Sequence, residues 1–228
     1  MKKILIVIFV VLVLGIGFYF YIQNKVNDDL EINNTSIDIK EDGEFVPIVP
    51  EVKPVDKPKT EVINNNNQKN MKATFNTTKG NFTIEFFPNL APKTVENFTK
   101  LASEGFYNNT KFHRVIKGFM NQGGDPLSKD DSLKSSWGTG GPGYKFADEI
   151  TGDNKNDIGT ISMANSGPNT NGSQFFINVA NNNFLDPKHT VFGKVVEGMD
   201  VIMDINNVAT DPSDKPLEAV VIKSITLN

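Results

Sequence analysis

Beyond Met71 the sequence is cut into short stretches in which apolar and polar residues alternate, with glycine-containing turns between them. A period of two puts like side chains on one face of a strand, so this part of the chain is committed to a sheet with one buried face. Lys72–Thr78 and Asn81–Phe87 read as strands joined by a short turn at Lys79-Gly80. Further strands are expected at Lys111–Ile116, Phe119–Gln122, Gly159–Ala164, Gln174–Val179, Val191–Val195 and Ala219–Thr226. Pro92 and Gly105 bracket a helix whose Val95, Phe98, Leu101 and Ala102 share one face, and Gly198–Ile205 suits a second, short helix. Many short strands and two helices predict a mainly β domain over residues 71–228, an antiparallel barrel or sandwich with helices at its ends.

The residues before it have a different texture. Lys2 and Lys3 precede an uninterrupted apolar, glycine and aromatic run, Ile4–Ile22. As a helix this run reaches roughly 28 Å, close to the ~30 Å hydrocarbon thickness of a bilayer. It is long for a signal-peptide core and is followed by no small-residue cleavage site, so residues 1–24 read as an uncleaved anchor, with a cleaved signal peptide as the alternative. The two lysines would keep the N-terminus inside, which puts the rest of the chain on the extracytoplasmic side of the cell membrane, or in the medium after cleavage. Residues 25–70 are polar, carry Pro47, Pro50, Pro54 and Pro58, and then Asn64-Asn65-Asn66-Asn67. That composition predicts a disordered linker.

Composition excludes several chemistries. A net charge of −4 offers no basic stripe for nucleic acid. With no cysteine there is no disulfide, thiol nucleophile or thiolate-bound metal, and two histidines make a histidine-rich metal site unsupported. Gly138-Thr139-Gly140-Gly141-Pro142-Gly143 fits a dinucleotide fingerprint in letters only, since no strand precedes it and no helix follows. Neither a phosphate-binding loop nor a nucleophile elbow is present. Of 23 basic residues only Arg114 is arginine, a planar fork of donors that lysine cannot imitate.

Arg114 lies in the first of two dense segments, Phe112-His113-Arg114-Val115-Ile116-Lys117-Gly118-Phe119-Met120-Asn121-Gln122-Gly123-Gly124-Asp125. The second runs from Ser162-Met163-Ala164-Asn165 through Asn171-Gly172-Ser173-Gln174-Phe175-Phe176-Ile177. Both closely resemble the cyclophilin family of peptidyl-prolyl cis–trans isomerases, as do Phe184–Val195 and the helix start Ala91–Phe98. The resemblance covers residues 71–228, with nothing before it; taken with the apolar run Ile4–Ile22, the chain reads as a bacterial-type, membrane-anchored member.

The resemblance implies a closed eight-stranded antiparallel β-barrel capped by two α-helices. It implies rotation about X-Pro bonds with no cofactor or metal, and Arg114 as the catalytic residue. Phe119, Met120, Phe176 and Leu185 would line the proline pocket. Gln122, Ala164, Asn165 and Gln174 would hold the peptide backbone and orient the arginine, with Phe184 and His189 on the rim. His113 would point away from the groove, since successive strand residues face opposite sides. Proline-containing polypeptides being exported are the expected substrates and a monomer the expected state; a proline-binding chaperone or scaffold is the alternative. Many members carry tryptophan where this chain has Phe184, and its indole donates to the inhibitor cyclosporin, so cyclosporin binding is expected to be weakened here. The stretch Leu127–Trp137 varies in the family and is expected to shape what lies beside the proline pocket.

Overall fold

The computed structural model describes residues 71–228. The anchor, signal-peptide and linker expectations for residues 1–70 lie outside the described residues. Among the described residues no helix is long and apolar enough to cross a membrane.

Strands β1 (Lys72–Thr77) and β2 (Asn81–Phe86) form the expected hairpin, Phe75 opposite Phe82. Ala73, Phe75, Phe82, Ile84 and Phe86 are the apolar residues of the alternating pattern, and all five are buried. Gly80 turns the hairpin at φ 130°, a backbone open to glycine, where a Cβ would also meet Val201 Cγ2 at 2.9 Å. Helix α1 (Pro92–Ser103) lays Val95, Phe98, Leu101 and Ala102 into the sheet as its period requires. Its first residue is proline, yet Ala91 supplies no side-chain cap. The Glu149 carboxylate does so from a distant loop, accepting from Lys93 N at 3.0 Å and from Thr94 N and Oγ1 at 2.8 Å each. Phe98 then centres an aromatic core, with ring centroids 4.9 Å from Tyr107, 5.3 Å from Phe192 and 5.7 Å from Phe175.

The remaining strands are β3 (Thr110–Lys111), β4 (Arg114–Ile116), β5 (Met120–Gly123), β6 (Thr160–Met163), β7 (Phe175–Asn178), β8 (Val191–Glu197) and β9 (Val221–Leu227). They form one curled antiparallel sheet in the order β3-β9-β1-β2-β8-β6-β7-β5-β4. This corrects the expected closed eight-stranded barrel to a curled sheet of nine strands whose end strands, β3 and β4, do not pair with each other. The single strand expected at Lys111–Ile116 is two, because Thr110–Lys111 pairs with β9 while Arg114–Ile116 pairs with β5. The two ends of the sheet are therefore joined covalently through Phe112-His113. Helix α2 (Met199–Asn206) buries Ile202 and Ile205 and is tied to the β4–β5 hairpin by two buried asparagines. Asn206 Nδ2 donates to Ile116 O (2.9 Å) and Asn121 Oδ1 (2.8 Å), Gly118 N donates to Asn206 Oδ1 (2.8 Å), and Asn121 Nδ2 donates to Ile202 O (2.9 Å). Unpartnered buried amides are costly, so this closed set fixes the hairpin's position.

Candidate functional site

The hairpin carries Arg114 on β4 and Gln122 directly opposite on β5, and Gln122 in turn faces Phe176 on β7. Opposed residues of an antiparallel ladder project to the same side, so the three form one row across the outer face of the sheet. The adjacent row holds Ile116, Met120 and Asn178. Alternation sends Val115, Ile177 and Phe175 inward, where they join the main core. Met120 and Phe176 are only 2% and 5% exposed but belong to no part of that core cluster. They are an apolar patch beside a charged residue, on the side of the sheet turned away from the core.

A second wall rises from the loop after β7. The short turn Asn183–Leu185 brings Phe184 parallel to Phe119, and His189 meets Phe176 edge-on with ring centroids 5.3 Å apart. His189 Nδ1 shares a hydrogen bond of 2.9 Å with Met163 O. This loop is built on polar contacts. Asn182 Nδ2 donates to Phe119 O (2.9 Å), and Asn154 Nδ2 donates to Asp186 O (2.7 Å) and His189 O (2.9 Å). Desolvation works to raise the Asp186 carboxyl, but donors from the Asn156 backbone and side chain and from Lys155 hold it below the usual range. Leu185 sits half-buried within the same turn.

The polar side is organised by Gln174. Gln122 Nε2 donates to Gln174 Oε1 (2.9 Å), and Gln174 Nε2 donates to Gly140 O (2.8 Å) and Gly138 O (3.0 Å). The Gly138–Gly140 loop is itself held by Asp125, fully buried, whose carboxylate accepts from Leu127 N (2.8 Å), Gly138 N and Gly140 N (3.3 Å). Gln122, Ala164, Asn165 and Gln174 border a hollow of about 660 Å³ whose far wall is Gly138–Lys145. Arg114, Phe119, Met120 and Phe176 lie outside its lining, so the hollow adjoins the apolar patch and does not contain it.

Arg114, Met120, Gln122 and Phe176 are thus brought together, and Phe119, Phe184, Leu185 and His189 flank them. Asn165 has a different employment. Its side chain donates to Lys188 O (2.8 Å) and accepts from Gly167 N (3.3 Å), closing one loop against another. Gln122 and Gln174 hydrogen-bond each other, and the charged neighbour of Arg114 is Asp214, with Nε to Oδ2 at 3.5 Å. Neither Asp214 nor Asp125 is singled out by the sequence pattern. Only the Asp125-Pro126 turn signal hints at the second. His113 is 2% exposed, on the opposite side from the exposed Arg114. Burial pushes its imidazole down to about 4, outweighing the pull of the nearby Asp125 carboxylate.

Residues 72–227 match the sequence model of the family described as "Cyclophilin type peptidyl-prolyl cis-trans isomerase/CLD". Peptidyl-prolyl cis-trans isomerase-like 1 of Emericella nidulans is 50% identical over 150 residues, 65% of this chain and 90% of that protein. Peptidyl-prolyl cis-trans isomerase CYP71 of Arabidopsis thaliana is 49% identical over 152 residues, 66% of this chain but only 23% of that longer protein. A crystal structure of a cyclophilin type isomerase from Cryptosporidium parvum superposes with a TM-score of 0.64 at 37% identity, covering 70% of this chain and 98% of that one. The same protein solved in the presence of the dipeptide Ala-Pro gives 0.63. These relatives are eukaryotic.

Proposed function

The chain belongs to the cyclophilin-type peptidyl-prolyl cis–trans isomerase family, and from that premise we propose that it rotates X-Pro bonds with Arg114 as the donor to the twisting amide. A peptide C–N bond resists rotation with a barrier of about 18–20 kcal/mol because resonance makes it partly double. X-Pro bonds have nearly balanced isomers that exchange over tens to hundreds of seconds. Rotation breaks no covalent bond, so what accelerates it is a group that favours the twisted state over the planar one. Half-way round, the proline nitrogen regains its lone pair and accepts a hydrogen bond that the planar amide cannot. A guanidinium provides that donor at any physiological pH. Held in place beforehand, it stabilises the transition state more than the ground state.

The observation that carries this reading is the row Arg114–Gln122–Phe176, with Met120 beside it. Phe176 and Met120 offer the proline ring an apolar seat within reach of the guanidinium. Phe119 and Phe184 wall it, and Gln122 presents a side-chain carbonyl to the peptide backbone. Replacement of Arg114 by lysine keeps the charge and removes the fork. Measured by NMR exchange on an Ala-Pro peptide, that variant is expected to bind peptide and lose turnover. Full turnover would overturn the assignment.

The setting we propose is the extracytoplasmic face of a membrane, with exported polypeptides as substrates. Its support is the apolar run Ile4–Ile22 behind Lys2 and Lys3, and the Pro- and Asn-rich stretch that follows. Fractionation of cells expressing the full chain tests it: recovery in the soluble cytoplasmic fraction would contradict the anchored and the secreted forms alike.

A further inference from the structure

The guanidinium of Arg114 has one charged neighbour among the described residues, and that neighbour lies on a turn built around it. Asp214 Oδ2 is 3.5 Å from Arg114 Nε. The Asp214 carbonyl also accepts from the N–H of Val115, the next residue along β4, at 2.8 Å. Backbone and side chain of one residue thus engage both the strand and the arginine it carries. Asp214 adopts φ 61°, a left-handed conformation that aspartate tolerates better than most side chains.

The turn is fixed from within by Asp211. Its Oδ1 accepts from Ser213 N (2.9 Å) and Lys215 N (3.1 Å), and its backbone pairs with Lys215 O (2.8 Å). It is fixed from outside by the 3₁₀ turn Asp131–Ser136, within the stretch Leu127–Trp137. Lys134 Nζ lies 3.5 Å from Asp211 Oδ2, and Lys215 Nζ donates to Lys134 O at 2.6 Å.

We propose that Asp214 is a positioning residue for Arg114, and that the Asp131–Ser136 turn acts on the site by bracing the Asp211–Lys215 turn. The proposal rests on the reading of Arg114 as donor. A carboxylate at Nε leaves the terminal amino groups to face the groove, and it limits the rotations of a long side chain that is 46% exposed. At 3.5 Å the contact is longer than a charge-assisted hydrogen bond, and Asp214 is itself 42% exposed. It therefore works by charge, contributes little to stability, and weakens with salt.

Arg114 is the only arginine, so the full chain gives a single side-chain Nε–Hε resonance, which reports on this contact without assignment. The test compares wild type with Asp214→Asn, Asp214→Ala and, as reference, Arg114→Ala. At low salt, turnover of bound Ala-Pro peptide is expected to fall about five- to tenfold in both Asp214 variants, since each tenfold reflects only a small change in barrier. Peptide affinity should stay within about twofold in both. The melting temperature should hold in Asp214→Asn, because so exposed a pair adds little to stability and asparagine tolerates the left-handed backbone. Asp214→Ala should melt somewhat lower, alanine being strained at φ 61°. The Nε–Hε signal should shift and sharpen as the side chain gains freedom. Raising salt to about 0.5 M should bring wild type towards the variants and leave the variants unchanged, because screening shortens the reach of the pair. Unchanged turnover and an unmoved resonance, with Arg114→Ala inactive, would overturn the role of Asp214 and leave the site as assigned. An active Arg114→Ala would overturn that assignment and this role together.

Discussion

The rings of Phe119 and Phe184 lie 5.9 Å apart between centroids and within 16° of parallel. One comes from the turn between β4 and β5 and the other from the loop after β7, so the wall of the site is assembled from two elements that meet only in the folded state. Phe184 is nonetheless 66% exposed, and its outer face is free to meet a ligand.

Substituting tryptophan at Phe184 adds an indole N–H at that exposed position while keeping the stacked surface. Cyclosporin affinity is expected to rise about threefold to tenfold in Phe184→Trp, the range of one ordinary hydrogen bond. Titration against both proteins measures it; equal affinities would show that the missing indole does not limit binding.

Gln174 links Gln122 to the Gly138–Gly140 loop through three hydrogen bonds. In Gln174→Leu the Gln122 amide loses its acceptor and two loop carbonyls lose a donor. Loss of these three bonds releases Gln122 and the loop together, and kcat/KM is expected to fall about tenfold. The melting temperature should change little, because the residue is only half-buried.

His113 should make stability depend on pH. Its imidazole is pushed down to about 4 when folded, against an ordinary value of 6.5. Between these limits the unfolded chain binds more protons, so folding stability is greatest above pH 6.5, falls as pH drops towards 4, and levels off below. Full expression of the shift is worth roughly 3 kcal/mol. Urea unfolding of wild type and His113→Gln across pH 4 to 7.5 should show this slope in the first and a flatter line in the second.

Glu149 caps helix α1 from outside. Glu149→Gln should lower stability by about 1 kcal/mol, through loss of a charged acceptor at a helix N-terminus. Turnover should be unaffected, since the helix lies on the core side of the sheet.

Much of this architecture is legible in the sequence because burial on one face writes a period into the strands. Ala73, Phe75, Phe82 and Ile84 alternate, and Val95, Phe98, Leu101 and Ala102 follow the helical turn, each as its position in the core demands. The motif blocks likewise place Arg114, Gln122 and Phe176 near one another before any register is known. What the pattern hides are choices of partner. Nothing local in Lys111–Ile116 shows that its start pairs with β9 and its end with β5. The cap on α1 comes from Glu149, far along the chain, and the neighbour of Arg114 comes from a turn near the C-terminus. Conversely, Asn165 carries a motif identity but a side chain engaged in closing a loop.

The join between the two ends of the sheet has a further consequence. Unpaired N–H groups on an edge strand invite another extended chain to add itself to the sheet. Here the Val115 N–H is satisfied by Asp214 O and the Lys111 N–H by Ser128 Oγ at 2.9 Å. A protein whose proposed substrates are unfolded polypeptides thus takes hold of them at a side-chain surface, and offers them little backbone on which to nucleate an aggregate.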